Sequence, residues 1–124
     1  MRNEVNSHMN TIEKVKVIYN AIDDKLGIDI KIIDISKVSV LADYLVISGA
    51  NNKSQVQAIV DNITEKLDKQ KVFVRHVEGY STANWVLLDY NDIIVHVFNQ
   101  EDRLFYDLER LWQDGNTIEF ESLQ

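Results

Sequence analysis

Residues 74–112, VRHVEGYSTANWVLLDYNDIIVHVFNQEDRLFYDLERLW, decide the fold. Two apolar runs, 85–90 and 93–98, flank Asn91-Asp92, which reads as a hairpin turn between two strands. The chain then enters an amphipathic helix. Asn99 can cap it, Leu104, Phe105, Leu108, Leu111 and Trp112 share one face, and Asp114-Gly115 ends it. Strand alternation puts Trp85, Leu87 and Asp89 on one face and Val86, Leu88 and Tyr90 on the other. The second set suits a core, with the Tyr90 hydroxyl reaching the edge. The first is the make-up of a binding hot spot, an aromatic anchor beside an apolar neighbour and a carboxylate. Its alternative is a core under a flanking helix. Glu78, Asp89, Tyr90 and His96 likewise call for either a satisfied polar network or a partner.

Working outward, residues 10–26 read as a helix. Asn10 and Glu13 have capping-box spacing, Ile12, Val15, Tyr19, Ile22 and Leu26 recur on one face, and Gly27 sits where a C′ glycine would end it. Ile28, Ile30 and Ile32 alternate with Asp29 and Lys31, the period of a half-buried strand. Tyr44-Leu45-Val46-Ile47 is apolar throughout and reads as a central strand buried on both faces. A second helix is predicted over 53–70, capped by Asn52 with Gln55, its buried stripe being Val56, Ile59, Val60, Ile63 and Leu67. Residues 72–77 form a third strand. The element order is then α-β-β-α-β-β-β-α, an α/β or α+β sandwich with a mixed sheet.

A chain of 124 residues is expected to form one domain, here 10–115. Residues 1–9 are a short disordered lead or, given Ser7-His8-Met9, a cloning scar. They have the features of neither a secretory signal nor a transit peptide. Residues 116–124 are a short acidic tail, either disordered or adding an edge strand through Ile118 and Phe120. No apolar run approaches the length of a membrane span. The sequence contains no cysteine, which excludes disulfides and thiolate metal sites and is compatible with a reducing cytoplasm. The net charge is −7 with no basic cluster, so direct nucleic-acid binding is not expected. An acidic surface does suit a basic protein partner.

The chain closely resembles the ribosomal silencing factors, the RsfS or Iojap-like family. The residues that carry the resemblance are Val77-Glu78-Gly79, Trp85-Val86-Leu87-Leu88-Asp89, Asp92, Val95-His96-Val97, Arg103, Tyr106-Asp107-Leu108-Glu109 and Leu111-Trp112. Upstream, Asp43-Tyr44-Leu45-Val46-Ile47-Ser48-Gly49 and Ser54-Gln55-Val56-Gln57-Ala58-Ile59 also fit, so the likeness spans roughly residues 10–113. Asn91 departs from the family's usual glycine. Asn tolerates positive φ, so the turn should survive. The resemblance implies a five-stranded mixed sheet flanked by helices and related to the nucleotidyltransferase fold. It also implies a function: binding the fourteenth protein of the large ribosomal subunit, blocking association with the small subunit and repressing translation when nutrients are short. Cytoplasmic location and homodimer formation are further expectations from it. Contacts are expected from Trp85, Leu87 and Asp89, with Glu78 and Tyr90 next.

The fold relation raises an alternative, a vestigial or atypical nucleotidyltransferase. Such chemistry needs paired carboxylates that hold Mg²⁺ against a triphosphate. No strand carries an Asp-x-Asp or Asp-x-Glu pair, Asp89 and Asp92 straddle a turn, and Ser48-Gly49 lacks a phosphate-loop lysine. No nucleophile elbow surrounds any serine. His76 and His96 lie on strands that could neighbour each other, but no third metal ligand is indicated. His96 is expected to satisfy a neighbouring carboxylate or backbone carbonyl. The expectation is a binder without catalytic residues, metal or cofactor. A generic dimeric adaptor is the blander option.

Overall fold

The computed structural model describes residues 9–102 and 115–123. Helix α1 (Thr11–Asp24) starts on a complete capping box. The Asn10 side chain accepts the Glu13 N–H at 2.9 Å, and the Glu13 carboxylate accepts the Asn10 N–H at 2.8 Å. Both orphan donors are thereby satisfied. Its end differs from expectation. Leu26, not Gly27, takes the left-handed C′ position, with φ of 63°. The Leu26 N–H donates to Asp23 at 2.9 Å and the Gly27 N–H to Ile22 at 3.0 Å, the two bonds of a Schellman motif. Leu26 therefore lies exposed rather than on the buried stripe. Gly27 is required for another reason: a Cβ there would collide with the Ile22 side chain and the Ser48 hydroxyl.

Helix α2 (Lys53–Lys69) buries Val56, Ile59, Val60, Ile63 and Leu67, the predicted stripe. Asn52 accepts the Gln55 N–H at 2.8 Å. The Gln55 side chain does not complete a box. Its amide donates instead to the Lys25 and Leu26 carbonyls at 2.9 and 3.0 Å, which satisfies carbonyls just past the end of α1. Asn62 ties the helices again, donating to the Ala21 carbonyl at 2.8 Å.

The strands are β1 (Ile28–Asp34), β2 (Tyr44–Ala50), β3 (His76–Glu78), β4 (Trp85–Asp89), β5 (Ile93–Asn99) and β6 (Asn116–Ile118). They form one mixed sheet in the order β3-β4-β5-β2-β1-β6. The central pair, β2 and β5, is parallel, from Tyr44 opposite Ile93 to Ala50 opposite Asn99. The other pairs are antiparallel. β2 is buried on both faces, as its continuous apolar run predicts.

Among the described residues the sheet has six strands rather than five. Residues 116–118 pair with β1, Ile118 opposite Ile32, and the Phe120 ring stacks on Tyr19 at 4.2 Å. The third strand is also shorter than the predicted 72–77. Lys71 adopts φ of 65°, and the Val72 N–H is spent on the Leu67 carbonyl at 2.9 Å in a second Schellman end. The chain joins the sheet only at Arg75, whose N–H donates to the Asp89 carbonyl at 2.8 Å. The expected third helix falls on residues 103–114, outside the described residues.

Both helices pack on one face of the sheet and enclose the larger apolar cluster, which includes Val46, Val86, Leu88, Val95 and Val97. A smaller cluster lies on the opposite face: Ile33, Ile35, Ala42, Leu45, Ile47 and Phe98, with Trp85 and Ile94 packed against it. Neither α1 nor α2 covers that second face, and it carries the candidate site.

Candidate functional site

Alternation along β4 sends Trp85, Leu87 and Asp89 to the face away from α1 and α2. Cross-strand pairing extends the row. Asp89 lies opposite His76 and Ile94, and Leu87 opposite Glu78 and His96. Directly opposed residues project to one side of a sheet, so His76, Glu78, Leu87, Asp89, Ile94 and His96 share a surface. Together with Leu45 and loop residues 39–42 they line a groove of about 630 Å³.

The loop supplies an apolar wall. Val40 is 101 % exposed and Leu41 77 % exposed, an unusual display for large aliphatic side chains next to a concave surface. The rest of the lining includes two carboxylates, Glu78 and Asp89, together with Arg75, which is bonded to Asn91. Asp89 accepts the Asn91 N–H at 2.8 Å, and no cation pairs with its carboxylate among the described residues. Glu78 lies 2.8 Å from His76 Nε2, both side chains well exposed. An acidic edge beside an apolar wall fits a partner that brings a cation and an aliphatic surface together.

The turn that aims Asp89 is built as the sequence predicts. Asn91 has φ of 80°, and its side-chain oxygen accepts from Arg75 at 2.6 Å. Gly79 also has positive φ, 83°, and a Cβ there would strike the Trp85 carbonyl. Only glycine lets the β3–β4 connection pass so close to β4.

The expected contact residues therefore separate. Leu87 and Asp89 are half-buried and Glu78 is exposed, all in the groove. Trp85 shares their face but stands beside the groove, half-buried against the smaller cluster. Its indole N–H donates to His96 Nδ1 at 2.8 Å. The partner of His96 is thus an indole, not the carboxylate or carbonyl expected. Tyr90 is a correction. It is 4 % exposed, in the cluster under α2, and its hydroxyl is buried without a hydrogen-bond partner among the described residues instead of reaching the edge. Burial raises its pKa. It cannot touch a partner on the opposite face.

His76 and His96 are not on neighbouring strands, because β4 runs between them. Among the described residues no group of His, Asp or Glu could hold a metal ion. Asp89 and Asp92 diverge: Asp92 accepts from Thr11 at 2.7 Å and Lys14 at 3.2 Å on the helical side. What the sequence reading missed is the apolar wall. Val40 and Leu41 carry no strand or helix period, and their one signal is two adjacent large aliphatics in a loop.

The face away from α1 and α2 thus sets an exposed apolar loop beside the Asp89 and Glu78 carboxylates around one groove. The chain belongs to the ribosomal silencing factor family: residues 8–124 match the family described as "Ribosomal silencing factor during starvation". It is 41% identical over 107 residues to the ribosomal silencing factor RsfS of Bacillus subtilis, covering 86% of this chain and 91% of that protein. It is 36% identical over 115 residues to RsfS of Halalkalibacterium halodurans, covering 93% and 98%. A crystal structure of a Chromobacterium violaceum protein superposes with a TM-score of 0.82 at 32% identity, over 85% of this chain and 88% of that one. The family is one of regulatory, ribosome-associated factors and not of enzymes.

Proposed function

We propose that the groove face docks onto a basic protein of the large ribosomal subunit, the fourteenth, and that the bound factor sterically blocks joining of the small subunit. Translation is repressed in this way when nutrients are limiting, in the cytoplasm where ribosomes work. The observation that carries the reading is the Asp89 carboxylate, which pairs with no cation among the described residues, set beside Leu87 in a groove with the exposed Val40 and Leu41. Such an edge fits a Lys or Arg whose aliphatic stem lies along the apolar wall. Family membership supports the reading, and a net charge of −7 steers the factor toward protein rather than RNA. No chemistry is needed, only an interface of standard size, roughly 800 Å² on each partner.

The test is sedimentation of the purified protein with separated subunits, followed by a subunit-joining assay. Retention on large subunits alone, with fewer joined ribosomes formed, is the expected result. Equal retention on both subunits, or on neither, would refute the reading. Light scattering of the free protein reads its self-association in the same samples, where a homodimer is expected.

A further inference from the structure

His96 is a polar side chain of the groove that the docking reading leaves unused. It lies on β5 and is 7 % exposed, and it lines the groove with Leu87 and Asp89. Its Nδ1 takes the Trp85 indole N–H at 2.8 Å, with ring centroids 5.6 Å apart. An indole nitrogen only donates, so Nδ1 must present its lone pair. Burial lowers the His96 pKa to about 4, which keeps the ring neutral near pH 7. A neutral imidazole that accepts at Nδ1 carries its one proton on Nε2. No described group accepts from Nε2. The described side-chain atoms that are both sealed and unpartnered are the Tyr90 hydroxyl and Asp92 Oδ1, so Nε2 is not shut away.

We propose that His96 is a positioning residue of the docking face: Nδ1 fixes the Trp85 indole across β4 and β5, and the Nε2–H is a donor into the groove for a neutral oxygen of the partner. A backbone carbonyl or hydroxyl meets that need. A partner carboxylate does not, because Glu78 and Asp89 line the same groove. The assignment links two features that otherwise stand apart. Trp85 is beside the groove and Leu87 is in it, and His96 touches both, through the indole bond and through its place opposite Leu87. The donor role rests on the docking reading above. The tautomer and the indole bond do not.

Two substitutions separate the two nitrogens. His96→Asn keeps an oxygen near the Nδ1 position and removes the Nε2–H. His96→Gln keeps an N–H near the Nε2 position and removes the Nδ1 acceptor. Ring ¹⁵N shifts of the unsubstituted protein should report the Nε2–H form. The Trp85 indole resonance, identified by its loss in Trp85→Phe, should stay in place in the Asn variant and move toward a free indole in the Gln variant. Large-subunit affinity should fall about two- to tenfold in the Asn variant, the scale of one neutral hydrogen bond.

A ring protonated at Nδ1, or an indole resonance unmoved by Gln, would overturn the positioning role. Undiminished affinity in a folded Asn variant would overturn the donor. The ring measurement needs no substitution, so it decides the positioning role even if a variant unfolds. Failure of the unsubstituted protein to bind large subunits would instead overturn the docking reading, with the ring form intact.

Discussion

Thr11, in the first turn of α1, donates its hydroxyl to Asp92 Oδ2 at 2.7 Å across 81 residues of chain. The same oxygen takes the Lys14 ammonium at 3.2 Å. A carboxylate at a helix N-terminus also meets the positive end of the helix dipole. Asp92 is thus committed to holding the β4–β5 turn against α1, which is why it does not join Asp89 as a carboxylate pair.

Asp92→Ala should destabilise the fold by roughly 1–3 kcal/mol, the range for losing a charge-assisted hydrogen bond. Large-subunit binding by the folded fraction should be unchanged. Denaturant melts and sedimentation on the same variant check both halves. A loss of binding without a loss of stability contradicts the assignment.

At the neighbouring position, Asn91 holds φ of 80° and accepts from Arg75. Asn91→Gly relieves the backbone and loses that bond, so its melting temperature should change little. Asn91→Val should cost roughly 1–2 kcal/mol, because a β-branched residue resists positive φ. Equal melting temperatures for the two variants would show that the turn does not hold this conformation in solution.

His96 gives a pH dependence of stability. Its folded pKa, about 4, lies below the ordinary value of 6.5. The unfolded chain therefore binds a proton first as pH falls. The contribution of the neutral buried ring is complete above about pH 6.5 and is lost progressively between there and about pH 4. Its full size is about 3 kcal/mol as an upper bound. Urea midpoints at pH 7.5 and 4.5 should differ more for the unsubstituted protein than for His96→Leu. Parallel pH profiles would disprove the linkage.

Asp89 does two things that substitutions can split. Asp89→Asn keeps an oxygen for the Asn91 N–H and loses the charge. It should retain the melting temperature and weaken large-subunit binding most at low salt. Asp89→Lys should weaken it further. Binding that ignores both changes would remove Asp89 from the interface.

Trp85→Ala should weaken binding by about 2 kcal/mol or more if the indole is an anchor. Trp85 also packs on the smaller apolar cluster, so some stability is lost too, less than the roughly 3–5 kcal/mol of a full core truncation. Calorimetry alongside sedimentation distinguishes the two effects. A folded variant with full affinity would mean that Trp85 is only a packing residue.

The periodic parts of this protein were legible in its sequence. The α2 stripe, the doubly buried β2 and the Asn91 turn each follow from a repeat or a single conformational preference. The ends of elements were not. A left-handed Leu26 or Lys71 goes against local preference and is held by its Schellman bonds, so the expected ends of α1 and of the third strand shift by residues. Tyr90 was placed on the correct face, but its hydroxyl is buried with the rest of the side chain in the larger cluster, which no strand pattern reveals. The Trp85–His96 bond joins diagonal neighbours, Trp85 lying opposite Phe98 and His96 opposite Leu87. Reading it required the register, and the register comes from pairing between strands. The groove wall depends on where an aperiodic loop comes to rest, which only tertiary packing decides.

The pairing of β6 with β1 has a consequence for how the protein is made. β1 is synthesised well before β6, so the hydrogen-bonding edge of Ile32 and Ile33 waits for residues 116–118. Until then an apolar strand edge is open to any neighbouring chain. The wait falls during synthesis, before residues 116–118 have been added. Long-range pairings of this kind are also slow to close. Loss of the pairing by residues 116–118 would therefore leave α1, α2 and the groove residues in place while exposing a site for strand exchange, and such a variant should aggregate during expression before it loses its capacity to dock.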